Sequence, residues 1–121
     1  MFLSNGAIVL VMLAFLGMGL GALIAPHKVT QQFGISSLTA AGKNEVRAVY
    51  GGFGLAMAFM LLVAINQPEL KAGICFTLSA ALAGMAFGRL VSWSIDKSIE
   101  RMPLFYLLLE AIFAAILYGV A

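Results

Sequence analysis

The sequence predicts an all-α integral membrane protein, a four-helix bundle that crosses the bilayer four times. Of its 121 residues, 63% are hydrophobic and only 10% are charged, whereas soluble domains average about 25% charged residues. A chain this short buries too little surface to hide so many apolar side chains from water. Charges and prolines divide it into four apolar stretches, each near the about 20 residues that a helix needs to span a bilayer.

The first apolar stretch, residues 6–25, has no charge and ends before Pro26. A secretory signal peptide would begin with Lys or Arg, and a proline directly after its small-residue cleavage site suits cleavage poorly. We therefore expect this stretch to remain in the protein as a membrane helix.

Three further apolar stretches follow. They are residues 46–65, 72–95 and 104–120. A polar step at residues 66–69 separates the first of them from the second, and Pro103 opens the last one near its first turn, where a missing amide hydrogen costs least. We predict a single domain over residues 1–121, with no soluble part.

The longest connection, residues 26–45, has two interpretations. Val29 and Phe33 are four residues apart, as on one face of a helix, so part of this segment is predicted either as a short helix at the membrane surface or as an ordinary loop packed over the bundle. Basic residues are more frequent in the first and third connections and the adjoining helix ends than in the second. The first and third contain Lys28, Lys43, Arg47, Lys97 and Arg101, whereas the second contains only Lys71. The positive-inside rule then predicts those two connections in the cytoplasm and both termini in the periplasm.

Small residues recur within the predicted spans, which contain most of the thirteen glycines. Glycines four residues apart lie on one helix face and let another backbone approach closely in a membrane. This pattern predicts helix contacts, either within one bundle or between copies in a homo-oligomer. The glycines with this predicted role are Gly17, Gly21, Gly51, Gly52, Gly84 and Gly88.

Two charged residues, Arg89 and Glu110, fall inside predicted spans. A helix rises about 1.5 Å per residue, which places Arg89 about 9 Å below the end of the third span and Glu110 about 10 Å below the start of the fourth. A charged side chain at membrane depth costs about 3 kcal/mol on insertion scales unless it finds a partner. We therefore expect these two side chains to pair.

Neighbouring polar side chains extend this pair into a predicted pocket that opens toward the first and third connections. Ser92 and Asp96 follow Arg89 at helical spacing, and the second span begins with polar residues at the same level. The predicted pocket residues are Glu45, Arg47, Tyr50, Arg89, Ser92, Asp96 and Glu110. Three interpretations stay open: a clasp that sets helix register, a binding site, or charges that only reach toward water.

No metal, cofactor or nucleic-acid site is predicted. Cys75 lies in an apolar run typical of a core residue, and His27 has neither a cysteine nor a second histidine to share a metal. A net charge of +2 is too small for a nucleic-acid footprint. No Ser-His-acid arrangement exists, so the sequence favours a non-catalytic protein.

The polar residues resemble a known family. The likeness rests on residues 44–52 (NEVRAVYGG), residues 84–92 (GMAFGRLVS), Asp96, Pro103 and Glu110. From residue 44 to the C-terminus the chain resembles small bacterial membrane proteins known as domain of unknown function 4345, except that Lys97 stands where glycine is usual. A looser likeness to DoxX-like four-helix membrane proteins rests on size and helix count, and it implies quinone-coupled oxidation or assembly of membrane complexes.

We predict a binding or accessory module of the bacterial inner membrane. Its pocket would hold an anionic lipid, a lipophilic metabolite or a group of a membrane partner protein, with Arg47 and Arg89 binding an anion through bidentate hydrogen bonds. One alternative is a homo-oligomeric proton-coupled transporter or channel in which Glu110 carries the proton. A second alternative is a quinone-linked membrane redox subunit.

Overall fold

The computed structural model describes residues 2–121, which contain helices and no strand. Residue 1 of the predicted domain lies outside this range. In chain order the elements are α1 (Phe2–Ile24), α2 (Pro26–Gln31), α3 (Ala40–Val46), a π-helical segment (Arg47–Gly52), α4 (Phe53–Asn66), α5 (Pro68–Asp96) and α6 (Arg101–Val120). The predicted all-α class is confirmed.

Within these residues, four helices are long and apolar enough to cross a membrane. They are Phe2–Ile24, Ala40–Asn66, Pro68–Asp96 and Arg101–Val120. The second starts six residues before its predicted apolar span, because Thr39 caps it and accepts a hydrogen bond from the Gly42 amide at 3.0 Å. A side chain that caps the first turn, and not the start of the apolar stretch, therefore sets this helix end.

The helices form a bundle in which α1 packs on α4 and the π segment, α4 packs on α5, and α5 packs on α6 along most of its length. The contact between α1 and α6 is shorter. Ile8, Val11, Leu61, Cys75 and Leu117 are fully buried and belong to one core. All of them lie in the half of the bundle remote from the first and third connections.

A close helix contact joins α1 to the second long helix. A β-carbon on Gly19 would lie 2.9 Å from the Gly51 carbonyl oxygen and 2.9 Å from the Leu55 amide nitrogen. Since both are backbone atoms, only glycine permits this approach. Of the glycines predicted for packing, Gly51 lies at this contact, and a β-carbon on Gly52 would meet only the Arg47 carbonyl oxygen, at 3.9 Å.

The remaining glycines of the predicted set have open space beside them. A β-carbon added at any of these positions would have no atom of another part of the chain within 4 Å. They are Gly17, Gly21, Gly84 and Gly88. The chain therefore does not use them for close contact between its own helices, because α1 meets α4 through Gly19, which lies between Gly17 and Gly21. Contact between copies through these glycines stays a prediction.

Candidate functional site

Arg89 of α5 and Glu110 of α6 form a bidentate ion pair between the two most extensively packed helices. Arg89 Nε donates to Glu110 Oε1 at 2.7 Å, and Arg89 Nη2 donates to Glu110 Oε2 at 2.9 Å. The Glu110 side chain is 6% exposed and that of Arg89 is 26% exposed. The parallel forks of guanidinium and carboxylate give this arrangement both strength and a defined orientation.

Aromatic rings from two elements cover the guanidinium. The Arg89 Cζ atom lies 5.9 Å from the ring centre of Phe33 and 5.5 Å from that of Tyr106, within the range of cation–π attraction. The two rings also contact each other at 5.6 Å between centres. The Tyr106 hydroxyl donates to Gln32 Oε1 at 2.5 Å, so the segment after α2 is held against the ion pair.

An apolar cleft of about 470 Å³ lies between α1 and α6, beneath α2. We call it the α1–α6 cleft. Its apolar lining includes Ala14, Phe15, Gly17, Met18, Gly21, Leu82, Leu109 and Phe113. Its polar lining comprises Lys28, Gln32, Tyr106 and Glu110. Gly17, Gly21 and Phe105 along its walls are exposed, so the cleft opens sideways at the surface of the bundle.

A second cavity of about 520 Å³, which we call the polar cavity, adjoins the third connection. Its lining includes Phe33, Tyr50, Gly88, Arg89, Ser92, Trp93, Asp96 and Glu100. Arg89 lines this cavity, Glu110 lines the α1–α6 cleft, and Met85 lines both. The ion pair therefore stands between the two cavities.

The structure brings together five of the seven predicted pocket residues. Tyr50, Arg89, Ser92 and Asp96 line the polar cavity, and Glu110 reaches it through Arg89.

Arg47 and Glu45 lie outside this group, so the expected convergence of Arg47 with Arg89 does not occur. Arg47 Nε donates instead to the Leu23 carbonyl oxygen of α1 at 3.2 Å, and Glu45 is exposed on α3. Arg47 belongs to the π-helical segment Arg47–Gly52, whose Tyr50 lines the polar cavity. The structure therefore places Arg47 beside α1 and Arg89 beside α6, and anion binding by the two arginines together stays a prediction.

The sequence indicated one further site residue and not the others. Tyr106 precedes Glu110 by four residues, so it was expected on the same helix face, one turn from Glu110. Phe33 gave only its apolar spacing with Val29, which says nothing of a contact with Arg89. Nothing in the sequence pattern indicated that Gln32 and Lys28 belong to the site, because their positions in the structure depend on how α2 packs over the bundle.

The described residues contain no group of three or more His, Cys, Asp or Glu side chains placed to hold a metal ion. Cys75 is buried in the core with its thiol free.

Comparison with known proteins adds a family and no activity. No curated protein and no solved structure matches the chain. The profile of one family, described as a domain of unknown function (DUF4345), matches residues 3–121. The match includes α1 and α2 and so reaches well beyond the segment from residue 44 that carries the resemblance in the sequence. With this coverage, the chain belongs to the family of the domain of unknown function DUF4345.

Proposed function

We propose that this protein is a non-catalytic binding module of the bacterial inner membrane that holds a lipophilic ligand with a polar headgroup in the α1–α6 cleft. The observation that carries the proposal is a cleft of about 470 Å³ that is apolar along most of its length and carries polar side chains from α2 and α6. Ligand sites are typically concave, mostly apolar and about 300–1,000 Å³ in volume, with few polar groups.

The dimensions of the cleft suit an extended amphiphile. Along α1 its lining runs from Ala14 to Ala25, the residue after the helix, a distance of about 16 Å along a helix. Lys28 and Gln32 lie at the α2 end, where a membrane would have its headgroups. The exposed glycines Gly17 and Gly21 leave one side open, and in a bilayer that opening would face the lipid chains. A ligand would then enter sideways from the membrane.

The polar cavity is a weaker candidate for an anionic ligand than the sequence suggested. Arg47 is turned toward α1, and the charge of Arg89 is balanced by Glu110. Asp96 and Glu100 also line this cavity. Its charges therefore favour cations over anions, and we place the ligand in the α1–α6 cleft.

Filling the cleft tests the proposal. Gly21→Leu places a side chain into open space, so we expect it to fold normally and to lose the ligand. Gly84→Leu is the matched control, because Gly84 also has open space around it but does not line the cleft. Native mass spectrometry of protein released from its own membrane should show a discrete bound species in the wild type and Gly84→Leu, and none in Gly21→Leu. Identical, unselective lipid adducts in all three proteins would overturn the proposal.

A second candidate is the homo-oligomeric proton-coupled transporter or channel. It draws support from one observation, namely that the Arg89–Glu110 pair stands between two cavities, where opening of the pair would join them. The same mass spectra address it, because a strictly monomeric protein contradicts a homo-oligomer. The likeness to DoxX-like proteins and the quinone-linked role that it implies stay predictions.

A further inference from the structure

We infer that the ligand of the α1–α6 cleft is a single-chain amphiphile with a carboxylate headgroup, bound by Lys28. This inference rests on the proposed function and specifies the chemistry of its ligand. It starts from the charges of the cleft. Its lining includes one lysine, Lys28, and one acidic residue, Glu110, and Glu110 is bound to Arg89. Among residues 2–121, Lys28 has no acidic partner within salt-bridge distance, so one positive charge at the α2 end is left unbalanced.

One ammonium group balances a carboxylate better than it balances a phosphate monoester. A phosphate monoester carries up to two negative charges and is usually bound by several donors, with arginine forks prominent among them. The arginine nearest the cleft, Arg89, has its fork on Glu110, and Arg47 is turned to Leu23. The unbalanced charge of the cleft therefore matches a headgroup with a single negative charge.

Gln32 supplies a second donor beside Lys28. Its side-chain oxygen accepts a hydrogen bond from Tyr106, which orients the amide and leaves its N–H groups for another acceptor. Both Lys28 and Gln32 line the cleft. A carboxylate accepts hydrogen bonds through both oxygens, and an ammonium with an amide N–H group provides one donor for each.

The rest of the cleft matches one alkyl chain. Apart from Tyr106 and Glu110, the walls below Gln32 are apolar, with Gly17 and Gly21 on one side and Leu109 and Phe113 on the other. The cleft volume of about 470 Å³ gives room for one long alkyl chain and not for two. Diacyl lipids would leave one chain outside the cleft.

The test uses the full-length protein in nanodiscs and a diazirine-bearing hexadecanoic acid as the probe. Hexadecanoic acid, hexadecan-1-ol, hexadecylamine and phosphatidylglycerol serve as competitors, and labelled peptides are located by mass spectrometry. We expect labels on the cleft walls of α1 and α6, with hexadecanoic acid as the strongest competitor. Lys28→Gln should weaken competition by the acid about fivefold, as for loss of a partly exposed ion pair, and leave that of the alcohol unchanged.

Charge reversal sharpens the test. Lys28→Glu should make hexadecylamine a stronger competitor than the acid, whereas the control Lys43→Gln, an exposed lysine on α3 outside the cleft, should change nothing. Equal competition by acid, alcohol and amine, with no effect of Lys28→Gln, would overturn the carboxylate inference and leave the cleft as the ligand site. Stronger competition by phosphatidylglycerol would overturn the single-chain carboxylate. Labelling outside the cleft in every variant would overturn the proposed function itself.

Discussion

At the scale of single residues, Arg89 and Glu110 have the clearest physical role. A buried carboxylate and a guanidinium each cost free energy in an apolar environment, and here two charge-assisted hydrogen bonds offset both costs. Phe33 and Tyr106 cover the guanidinium and reduce its contact with water. The pair therefore links α5 to α6, and its Glu110 also forms part of the cleft wall. The same two residues can thus hold the helices in register and contribute to a binding site.

Removing one partner of this pair should destabilise the protein more than removing both. Glu110→Leu and Arg89→Leu should each lower the free energy of unfolding by about 3 kcal/mol, because each leaves an uncompensated charge. The double variant should lose less than either single variant. Glu45→Leu, at an exposed position, should stay within about 0.5 kcal/mol of wild type.

Chemical unfolding in detergent micelles, followed by circular dichroism, measures these differences. A double variant that loses the sum of the two single effects would contradict the expected coupling. A stable double variant that no longer carries a bound species would show that the pair does more than clasp the helices.

At the scale of elements, two helix details decide where side chains point. The π segment turns Arg47 to α1 and brings Tyr50 to the polar cavity. At the third connection, α5 ends at Asp96, and the next residue, Lys97, has left-handed backbone angles, with φ at 57°. That conformation costs a residue with a β-carbon about 1–2 kcal/mol relative to glycine, and helix ends of this kind favour glycine. Lys97 is thus a strained helix end.

Lys97→Gly should raise the free energy of unfolding by about 1 kcal/mol, because it removes the steric cost of the left-handed backbone. Lys97→Ala is the matched control, since it removes the same charge and keeps the β-carbon. Parallel unfolding curves of the two variants and the wild type measure the effect. An equal gain in both variants would assign it to the lost charge and contradict the backbone explanation.

At the scale of the whole molecule, the core of fully buried residues lies in one half of the bundle, and the two cavities beside the ion pair lie in the other, which we call the hollow half. The buried core around Ile8, Leu61 and Leu117 fills the half remote from the first and third connections. Both cavities and the ion pair lie in the half beside those connections. The connections also carry most of the basic residues, so the proposed orientation places the hollow half toward the cytoplasm.

Cysteine labelling tests this orientation. In a Cys75→Ser background, Gln67→Cys lies between α4 and α5, and Ser98→Cys lies between α5 and α6. With both termini in the periplasm, a membrane-impermeant maleimide should label the first variant in cells with a permeabilised outer membrane and the second only after lysis. The reverse pattern would place the termini and the hollow half on the opposite sides.

The sequence predicted the level of the ion pair but not the environment around it. Arg89 and Glu110 were expected at one depth because helical rise converts residue number into height. Arg47 was expected beside them and faces α1 instead, since no local propensity signals the π winding. Gly17 and Gly21 carry the spacing typical of a helix contact, yet α1 meets α4 through Gly19. Spacing identifies a face and does not say what that face meets.

By itself, the sequence determined the helical class, the four apolar helices and the positions of the charged residues along them. These properties depend on composition, on helical rise and on the thickness of a bilayer, and all three are local or additive along the chain. Only the tertiary structure decided that α1 and α6 contact each other over a short length, that the segment after α2 covers Arg89, and that a cleft remains beside Glu110. Those features depend on which helix faces meet, and that choice is made by contacts between residues far apart in the chain.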